Sequence, residues 1–507
     1  MAIIPSLVNW LNNKRLNQIE LFKKYPEETQ LKILKGLLAR ASETEWGRKH
    51  EYSSIASIRE YQNRVPVQTY EEIIPYIERL RNGERNVLWP GEVKWFAKSS
   101  GTTSTKSKFI PISRESLVEC HYRGAKDILL IYTRNNPDTK IYNGKGLILG
   151  GSHRINNPVN NSIYGDLSAI LIEKAPFWVD LIRTPKSAIA LLEDFEEKLK
   201  QITKLSVNQN VTNISGVPSW FLVLIKQILS YTGKSNLHEV WPNLEVFFHG
   251  GINFVPYREQ FMNFIKGGVM NYMESYNASE GFFGLQDNPS VNDMLLMLDL
   301  GVFYEFIPAD KTGSADPPAL TLGEVKEGIS YAMVISTNGG LWRYMIGDTI
   351  IFTSLRPYKF IISGRTKHYI NAFGEELIID NAEKAIEKAC KVTGALVAEY
   401  TAGPVFIETN SKGSHEWIIE FEKEPEDLDQ FTNLLDEALK SVNSDYEAKR
   451  FKDLNLVRPV VRSVPPGTFY RWLREKNKLG GQNKVPRLSN NREYLEDLYL
   501  IAGIKSA

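Results

Sequence analysis

Hydrophobic positions recur at helical spacing along the first part of the chain. Leu16, Ile19 and Phe22 mark one apolar face, and the next face is marked by Leu31, Ile33, Leu34, Leu37 and Leu38. Apolar residues three or four positions apart lie on the same side of an α-helix. Pro26 separates the two runs, because proline lacks the backbone N–H that a continuing helix needs. The pattern predicts a packed layer of two N-terminal helices.

From Val93 onward the pattern changes to short apolar runs separated by Gly, Asn and Pro. Runs at 147–151, 244–251 and 269–274 are predicted to be buried strands, and 187–202 has helical spacing. Strands that alternate with helices indicate a mixed α/β layer architecture.

Strand follows strand in the region 294–355, which predicts a β-rich subdomain with strands at 300–307, 319–324, 331–336 and 349–352. Beyond it, a helical pattern through Ile378 and Ala389 ends at Gly394, followed by a strand at 417–422 and a helix at 426–442.

The predicted fold class is therefore α/β plus α+β. A large N-terminal domain, residues 1–360, has mixed sheets layered with helices and contains the β-rich subdomain. A small C-terminal α+β domain, residues 361–507, follows it.

Composition narrows the possible partners. Of the 507 residues, 42% are hydrophobic and 24% charged, as in ordinary globular proteins. A net charge of +1 disfavours nucleic acid or an anionic membrane as partner. No segment approaches the ~18 apolar residues of a membrane span. Two cysteines, Cys120 and Cys390, fit a reducing compartment. We therefore expect a soluble, cytoplasmic protein.

The segment from Ser99 to Lys108 has the chemistry of a phosphate-binding loop. Its small residues at 99–105 supply hydroxyl groups, and Gly101 lets backbone N–H groups approach an anion closely. Lys106 and Lys108 add positive charge. The spacing is not that of a Walker A loop. A flexible linker rich in Ser, Thr and Gly has the same composition, so the segment alone leaves both readings open.

Two later segments offer matching chemistry. Tyr276, Ser279 and Glu280 follow a predicted strand and provide a ring for a base, a hydroxyl for a phosphate and a carboxylate for a hard cation. Asp348 follows Gly347 and suits the two hydroxyls of a ribose. Taken singly, each segment is more commonly a turn, with a buried tyrosine at a strand end in the first case and an aspartate in a β-turn in the second.

These three segments, in this order, resemble the acyl acid–amido synthetases, the auxin-responsive family of plant hormone conjugation. That family is a branch of the adenylate-forming superfamily, which includes acyl-CoA synthetases and luciferase. Residues 297–308, 340–348, 466–469 and 482–487 also resemble family patterns. The resemblance extends from Lys98 to Arg487.

The resemblance implies a role for each matching residue. The phosphate loop would comprise Ser99, Ser100, Gly101, Thr102, Thr103 and Lys108. Tyr276 would stack on adenine, Ser279 would lie near the α-phosphate, and Glu280 would help to hold Mg²⁺.

Further roles follow in the same way. Gly250 and Gly251 would pass against the adenine, and Asp348 would bind the ribose. Arg365 resembles the hinge arginine, which also reaches the ribose. Lys484 would be the mobile C-terminal lysine that meets the carboxylate and the α-phosphate. Two departures are visible: Thr103 to Thr105 stand where relatives often have more glycine, and Met345 replaces a commonly basic residue.

The implied activity is that of a ligase that uses ATP and Mg²⁺. It would adenylate a carboxylic acid, release pyrophosphate, and transfer the acyl group to the amine of an amino acid with release of AMP. Glu280, Lys108 and Lys484 would be catalytic, because two anions must be brought together. An acyl-CoA or acyl-carrier ligase shares the first step, and a nucleotide-binding regulatory module is the alternative without catalysis.

Replacing Lys484 separates binding from chemistry. We expect Lys484→Ala to impair adenylation and to leave ATP binding nearly intact, because this lysine would lie on the mobile domain. Pyrophosphate exchange measures the first effect and calorimetry the second. Exchange at the wild-type rate would contradict the role.

Overall fold

The computed structural model describes residues 3–100, 107–151, 153–155, 162–251, 254–312, 314, 317–365, 369–407, 412–453, 455–476 and 487–504. These residues form the α-helices α1 Ile3–Lys24, α2 Pro26–Ala41, α3 Glu45–Lys49, α4 Ile58–Arg64, α5 Tyr70–Arg81, α6 Tyr122–Asn135, α7 Leu167–Lys174, α8 Val179–Ile182, α9 Ser187–Ala190, α10 Phe195–Ser206, α11 Pro218–Thr232, α12 Val255–Phe264, α13 Ile379–Thr393, α14 Leu428–Val442, α15 Ser444–Arg450, α16 Thr468–Glu475 and α17 Glu493–Ala502.

The same residues form the strands β1 Trp95–Ser100, β2 Ser107–Ile112, β3 Lys145–Leu149, β4 His153–Ile155, β5 Ile163–Gly165, β6 Arg183–Thr184, β7 Val211–Gly216, β8 Val246–Gly250, β9 Asn271–Ala278, β10 Gly281–Leu285, β11 Met294–Leu296, β12 Val302–Pro308, β13 Ser330–Thr337, β14 Tyr344–Leu355, β15 Tyr358–Arg365, β16 Tyr369–Ile370, β17 Leu377–Ile378, β18 Leu396–Ile407, β19 Lys412–Lys423 and β20 Val460–Val464.

Shorter helical turns complete the described structure. One is a π-helix, Ser116–His121, which runs directly into α6. The others are 3₁₀ turns at Tyr52–Ser54, Ile141–Asn143, Leu237–Glu239, Ala309–Lys311, Leu322–Glu324 and Phe451–Asp453.

An eleven-stranded sheet forms the centre of the molecule, in the order β12-β13-β14-β15-β11-β10-β9-β8-β7-β3-β6. The strand pairs β9–β8, β8–β7, β7–β3 and β3–β6 are parallel. The pairs on the other side of β9, as far as β12, are antiparallel. Strand β9 therefore joins a parallel half to an antiparallel half. A second sheet, β2-β1-β5-β4, lies in the N-terminal region.

Most of the predicted elements are confirmed. The two N-terminal helices are α1 and α2, and the three predicted buried strands are β3, β8 and β9. Helix α13 ends where Gly394 adopts a left-handed backbone at φ 69°, which a glycine tolerates without steric cost. The predicted class, α/β plus α+β, is confirmed.

Two predicted elements are wrong in detail. The helix predicted at 187–202 is two helices, because the Asp194 side chain accepts a hydrogen bond from the backbone N–H of Glu197 and starts α10 anew. The strand predicted at 319–324 is a bridge at Leu320 followed by a 3₁₀ turn. There, Thr321 and Glu324 form a reciprocal capping box that favours helical over extended backbone.

The C-terminal region is a three-stranded sheet, β18-β19-β20, covered by helices that include α13 and α14. It packs on the N-terminal part: the Lys449 ammonium lies 4.0 Å from the centre of the Trp220 ring, and Lys452 pairs with Glu196 at 2.6 Å. Residue 360, the predicted domain boundary, falls inside β15, which continues in the large sheet to Arg365. No helix among the described residues is long and apolar enough to cross a membrane.

A buried ion pair braces the antiparallel half. Arg343 forms two hydrogen bonds of 2.9 Å to the Glu305 carboxylate, and Glu305 is 1% exposed. The same guanidinium donates to the backbone carbonyls of Gln62 and Val65. Arg343 thus ties β12 and the start of β14 to helix α4, and its backbone adopts a positive φ of 43° to do so.

We expect Arg343→Met to lower the free energy of unfolding by about 3–5 kcal/mol, because it leaves the Glu305 carboxylate buried without its cation. The midpoint of thermal unfolding measures the loss. The matched control is Arg40→Met, which breaks the exposed pair with Glu119 and should cost about 0–1 kcal/mol. Equal shifts in both variants would refute the structural role of Arg343.

Candidate functional site

The candidate site lies at the carboxyl ends of the parallel strands, the edge at which open α/β sheets bind ligands. Gly250 ends β8 beside β9, where a Cβ atom would come within 2.3 Å of the Ser275 carbonyl oxygen. Gly251 follows with a positive φ of 83°. Both positions therefore require glycine, and the smooth backbone they leave is suited to contact a flat ring.

Strand β9 brings two predicted residues of the site together. The Tyr276 hydroxyl donates a hydrogen bond to the Asp348 carboxylate, although three strands separate β9 from β14 in the sheet order. The Tyr276 ring is 8% exposed and meets Phe283 edge to face at 5.0 Å. The sheet is thus curled enough to place Asp348 next to the end of β9. Tyr276 therefore orients this carboxylate.

The base of the predicted phosphate loop is a hairpin. Strands β1 and β2 pair antiparallel, and Ser99 lies opposite Lys108 in the ladder. Strand β1 extends to Ser100, so the first two predicted loop residues, Ser99 and Ser100, belong to the strand. Gly101, Thr102 and Thr103 lie outside the described residues.

Lys108 is the buried cation of this hairpin. Its side chain is 6% exposed, and its ammonium lies 5.4 Å from the centre of the Tyr70 ring. The Tyr70 hydroxyl accepts a hydrogen bond of 2.7 Å from the backbone N–H of Phe109 and so fixes helix α5 against β2. The aromatic face and the restricted solvent keep the lysine in place.

Glu280 lies half-buried with Ser279 in the tight turn between β9 and β10. Burial raises the pKa of Glu280 to about 7, and the positive charge of Lys108 opposes that shift. The carboxylates of Asp348 and Glu376 raise the pKa further. The structure therefore brings Lys108, Glu280 and Asp348 into one electrostatic environment.

This arrangement fits a nucleotide with its metal ion. Among the described residues, no three His, Cys, Asp or Glu side chains converge on a point that would hold a metal. Magnesium, however, is commonly bound through one or two carboxylates together with substrate phosphates. A single carboxylate, Glu280, beside the base of the phosphate loop matches that pattern.

Beyond these loop residues, two further predicted residues are placed only partly or not at all. Arg365 ends β15, and its backbone lies opposite Asp348 in the ladder with β14. Lys484 lies outside the described residues.

The structure adds two residues that sequence reasoning missed. Tyr70 packs against Lys108, and Glu274 is a carboxyl group whose pKa burial raises to about 7, with Arg258 opposing the shift. Glu274 lies opposite His249 in the β8–β9 ladder. Its position two residues before Tyr276 was the available signal, but the burial that raises its pKa exists only in the folded sheet.

Two buried histidines, His121 and His249, are unsuited to act as proton acceptors at neutral pH. Burial lowers the pKa of His121 to about 4 and that of His249 to about 3. Both rings are neutral at pH 7, and their conjugate acids are too strong to hold a proton. His249 stacks on Phe254 with ring centres 4.1 Å apart.

Comparison with known proteins identifies the family. Three family models match: the GH3 family N-terminal domain over residues 15–270, the GH3 family central domain over residues 295–365 and the GH3 family C-terminal domain over residues 380–493.

Similar curated proteins are plant enzymes. An indole-3-acetic acid-amido synthetase, GH3.8 of Oryza sativa subsp. indica, is 25% identical over 94% of this chain and 90% of its own length. The indole-3-acetic acid-amido synthetase GH3.3 of Arabidopsis thaliana is 24% identical over 94% of this chain and 91% of its own length.

Solved structures share the fold. The AtGH3.15 acyl acid amido synthetase in complex with 2,4-DB superposes with a TM-score of 0.62 at 20% identity, covering 96% of each chain. A 2-hydroxyisobutyryl-CoA ligase in complex with 2-HIB-AMP and CoA gives 0.58 at 14% identity, covering 94% of this chain and 92% of that one. With the N-terminal, central and C-terminal models matched in order, the chain belongs to the GH3 family.

Proposed function

We propose that this GH3-family ligase is an acyl acid–amido synthetase. It activates a carboxylic acid with ATP as the acyl-adenylate, releases pyrophosphate, and transfers the acyl group to the amine of an amino acid with release of AMP. The observation that carries the proposal is the convergence of Tyr276, Asp348, Glu280 and Lys108 at the end of β9. The names of the curated relatives support the amide product.

The chemistry requires positive charge where two anions meet. A carboxylate that attacks the α-phosphorus of ATP approaches a group of its own sign, so cations must offset the charge that accumulates. Lys108 supplies a fixed charge at the base of the phosphate loop, and Lys484 is proposed to supply a second. Mg²⁺, when bound, would neutralise phosphate charge, and Glu280 is the residue that would hold it.

Positioning is the other part of the mechanism. The Asp348 carboxylate, oriented by the Tyr276 hydroxyl, is proposed to accept hydrogen bonds from a ribose. Gly250 and Gly251 leave room for the adenine beside β8. Ser99, Ser100, Gly101, Thr102 and Thr103 are proposed to hold the phosphates, Ser279 to lie near the α-phosphate and Arg365 to reach the ribose. Holding both reactants in line accounts for much of the expected acceleration.

We assign Mg²⁺ as the metal, an amino acid as the acceptor and the cytoplasm as the compartment. The N-terminal domain is proposed to end after β15, at Arg365 instead of residue 360, because that strand is continuous in the large sheet. The remainder would form the mobile lid.

Pyrophosphate exchange with a panel of carboxylic acids tests the first half-reaction. We expect acid-dependent exchange of label from pyrophosphate into ATP, since adenylation is reversible. No exchange with any acid would refute the enzyme assignment. With an accepted acid, mass spectrometry of reactions offered amino acids or CoA distinguishes an amide from a thioester. A thioester alone would identify an acyl-CoA ligase instead.

Asp348→Ala should weaken nucleotide binding by about 10- to 100-fold, since hydrogen bonds to a charged group contribute about 1.5–3 kcal/mol. Calorimetric titration with ATP measures the affinity. Tyr276→Phe keeps the ring and removes the hydrogen bond that orients Asp348, so we expect a smaller loss in the same direction. Asp310→Ala, at an exposed carboxylate, is the matched control. An unchanged affinity in Asp348→Ala would contradict the ribose role.

A further inference from the structure

A π-helix packs against the hairpin that carries Glu280. The segment Ser116–His121 has π-helical geometry, and it contacts β10. π-helices are rare, and they occur frequently at functional sites. The hairpin formed by β9 and β10 has Ser279 and Glu280 at its tip.

Two consecutive residues of the π-helix contact the two strands of this hairpin. Asn277 and Phe282 are direct partners in the β9–β10 ladder, just below the tip. His121 Nδ1 lies 2.8 Å from the Asn277 side-chain oxygen. Cys120 Sγ accepts a hydrogen bond of 3.2 Å from the backbone N–H of Phe282. One contact therefore holds each strand at the same level. We refer to Cys120 and His121 as the hairpin clamp.

A third contact fixes the distance between the clamp and the hairpin. A Cβ atom on Gly124, in the first turn of α6, would come within 2.3 Å of the Phe282 ring. The helix therefore approaches the hairpin as closely as a glycine permits. Phe282 is held between Gly124 and Cys120, so the hairpin has little freedom near its tip to shift toward or away from α6.

His121 has the properties of a fixed donor. Its side chain is 1% exposed, and burial lowers its pKa to about 4, so the ring is neutral at working pH. Because an amide oxygen only accepts hydrogen bonds, Nδ1 carries the proton and donates it to Asn277.

We propose that His121 is a positioning residue for the adenylation site. Through Asn277, it fixes the β9–β10 turn so that Glu280 meets the metal ion and Ser279 the α-phosphate. Cys120 supports the same turn from the β10 side. The inference rests on the proposed function, because it concerns the metal-nucleotide site that this function requires.

Two variants separate the volume of the ring from its hydrogen-bond donor, because leucine keeps the volume without a donor and the smaller asparagine keeps a donor. His121→Leu removes the hydrogen bond, whereas His121→Asn places an amide N–H close to the position of Nδ1. We expect His121→Leu to raise the Mg²⁺ concentration for half-maximal pyrophosphate exchange about tenfold, the effect of losing one buried hydrogen bond. The KM for ATP at saturating Mg²⁺ should change less than about twofold. His121→Asn should recover most of the Mg²⁺ dependence.

Two measurements do not depend on turnover. Hydrogen exchange should be faster in His121→Leu at the amide of Phe282 and in the turn. Calorimetry should show a weaker affinity for ATP with Mg²⁺ and an unchanged affinity for ATP in EDTA. His238→Leu is the matched control, since that half-buried ring lies within hydrogen-bond distance of the backbone carbonyls of Leu244 and Lys266.

The outcomes separate this inference from the proposed function. Absent exchange in the wild-type protein would refute the function, and hydrogen exchange with calorimetry would still test the clamp. Wild-type Mg²⁺ affinity and turn protection in His121→Leu would overturn the clamp. If that variant does not fold, Asn277→Ala removes the acceptor instead. Where His121→Leu and Asn277→Ala both fold, the double variant should lose no more Mg²⁺ affinity than either single change.

Discussion

Strand β9 imposes the constraint on which the site depends. It pairs in parallel with β8 on one side and antiparallel with β10 on the other. The parallel ladder brings its carboxyl end level with Gly250, and the antiparallel ladder turns the chain back through Ser279 and Glu280. One strand therefore positions the proposed adenine-contacting glycines, Tyr276, which bonds Asp348, and the proposed metal ligand Glu280. A shift of one residue in either ladder would turn these side chains to the opposite face.

The antiparallel half of the sheet supplies a second constraint on the site. The short segment from Arg343 to Asp348 contributes to it in two ways. Arg343 pairs with buried Glu305 and braces β12 against α4. Five residues later, Asp348 reaches Tyr276 at the site. The arginine holds the frame in which the aspartate is presented. A signature of this kind joins packing and ligand binding in a few residues, so its arginine need not touch the ligand to matter.

Burial shifts the pKa of the histidines and of the carboxyl groups near the site in opposite directions. A charged form is disfavoured away from water, so the pKa falls for His121 and His249 and rises for Glu274 and Glu280. The two histidines become neutral packing and hydrogen-bonding groups. The two carboxyl groups, in contrast, change protonation near pH 7. Lys108 counteracts the rise at Glu280, which favours the ionised form that a metal ion requires.

The sequence by itself determined the helical and strand periodicities, the end of α13 at Gly394 and the succession of motifs that indicates the family. These features depend on neighbouring residues, and local spacing records them. The turn at Thr321–Glu324 is equally local, but its alternating apolar residues led to the prediction of a strand, although the capping box was present in the sequence.

Only the tertiary structure decided which distant residues meet. No spacing shows that Tyr276 bonds Asp348, that Arg343 pairs with Glu305, or that His121 holds Asn277, since each contact depends on the curl of the sheet and on the packing of helices against it. The same holds for the pKa of Glu274, which is set by the elements that exclude water from it. The sequence determines which functional groups are available to the site. Tertiary packing determines which of these groups are buried close enough to interact.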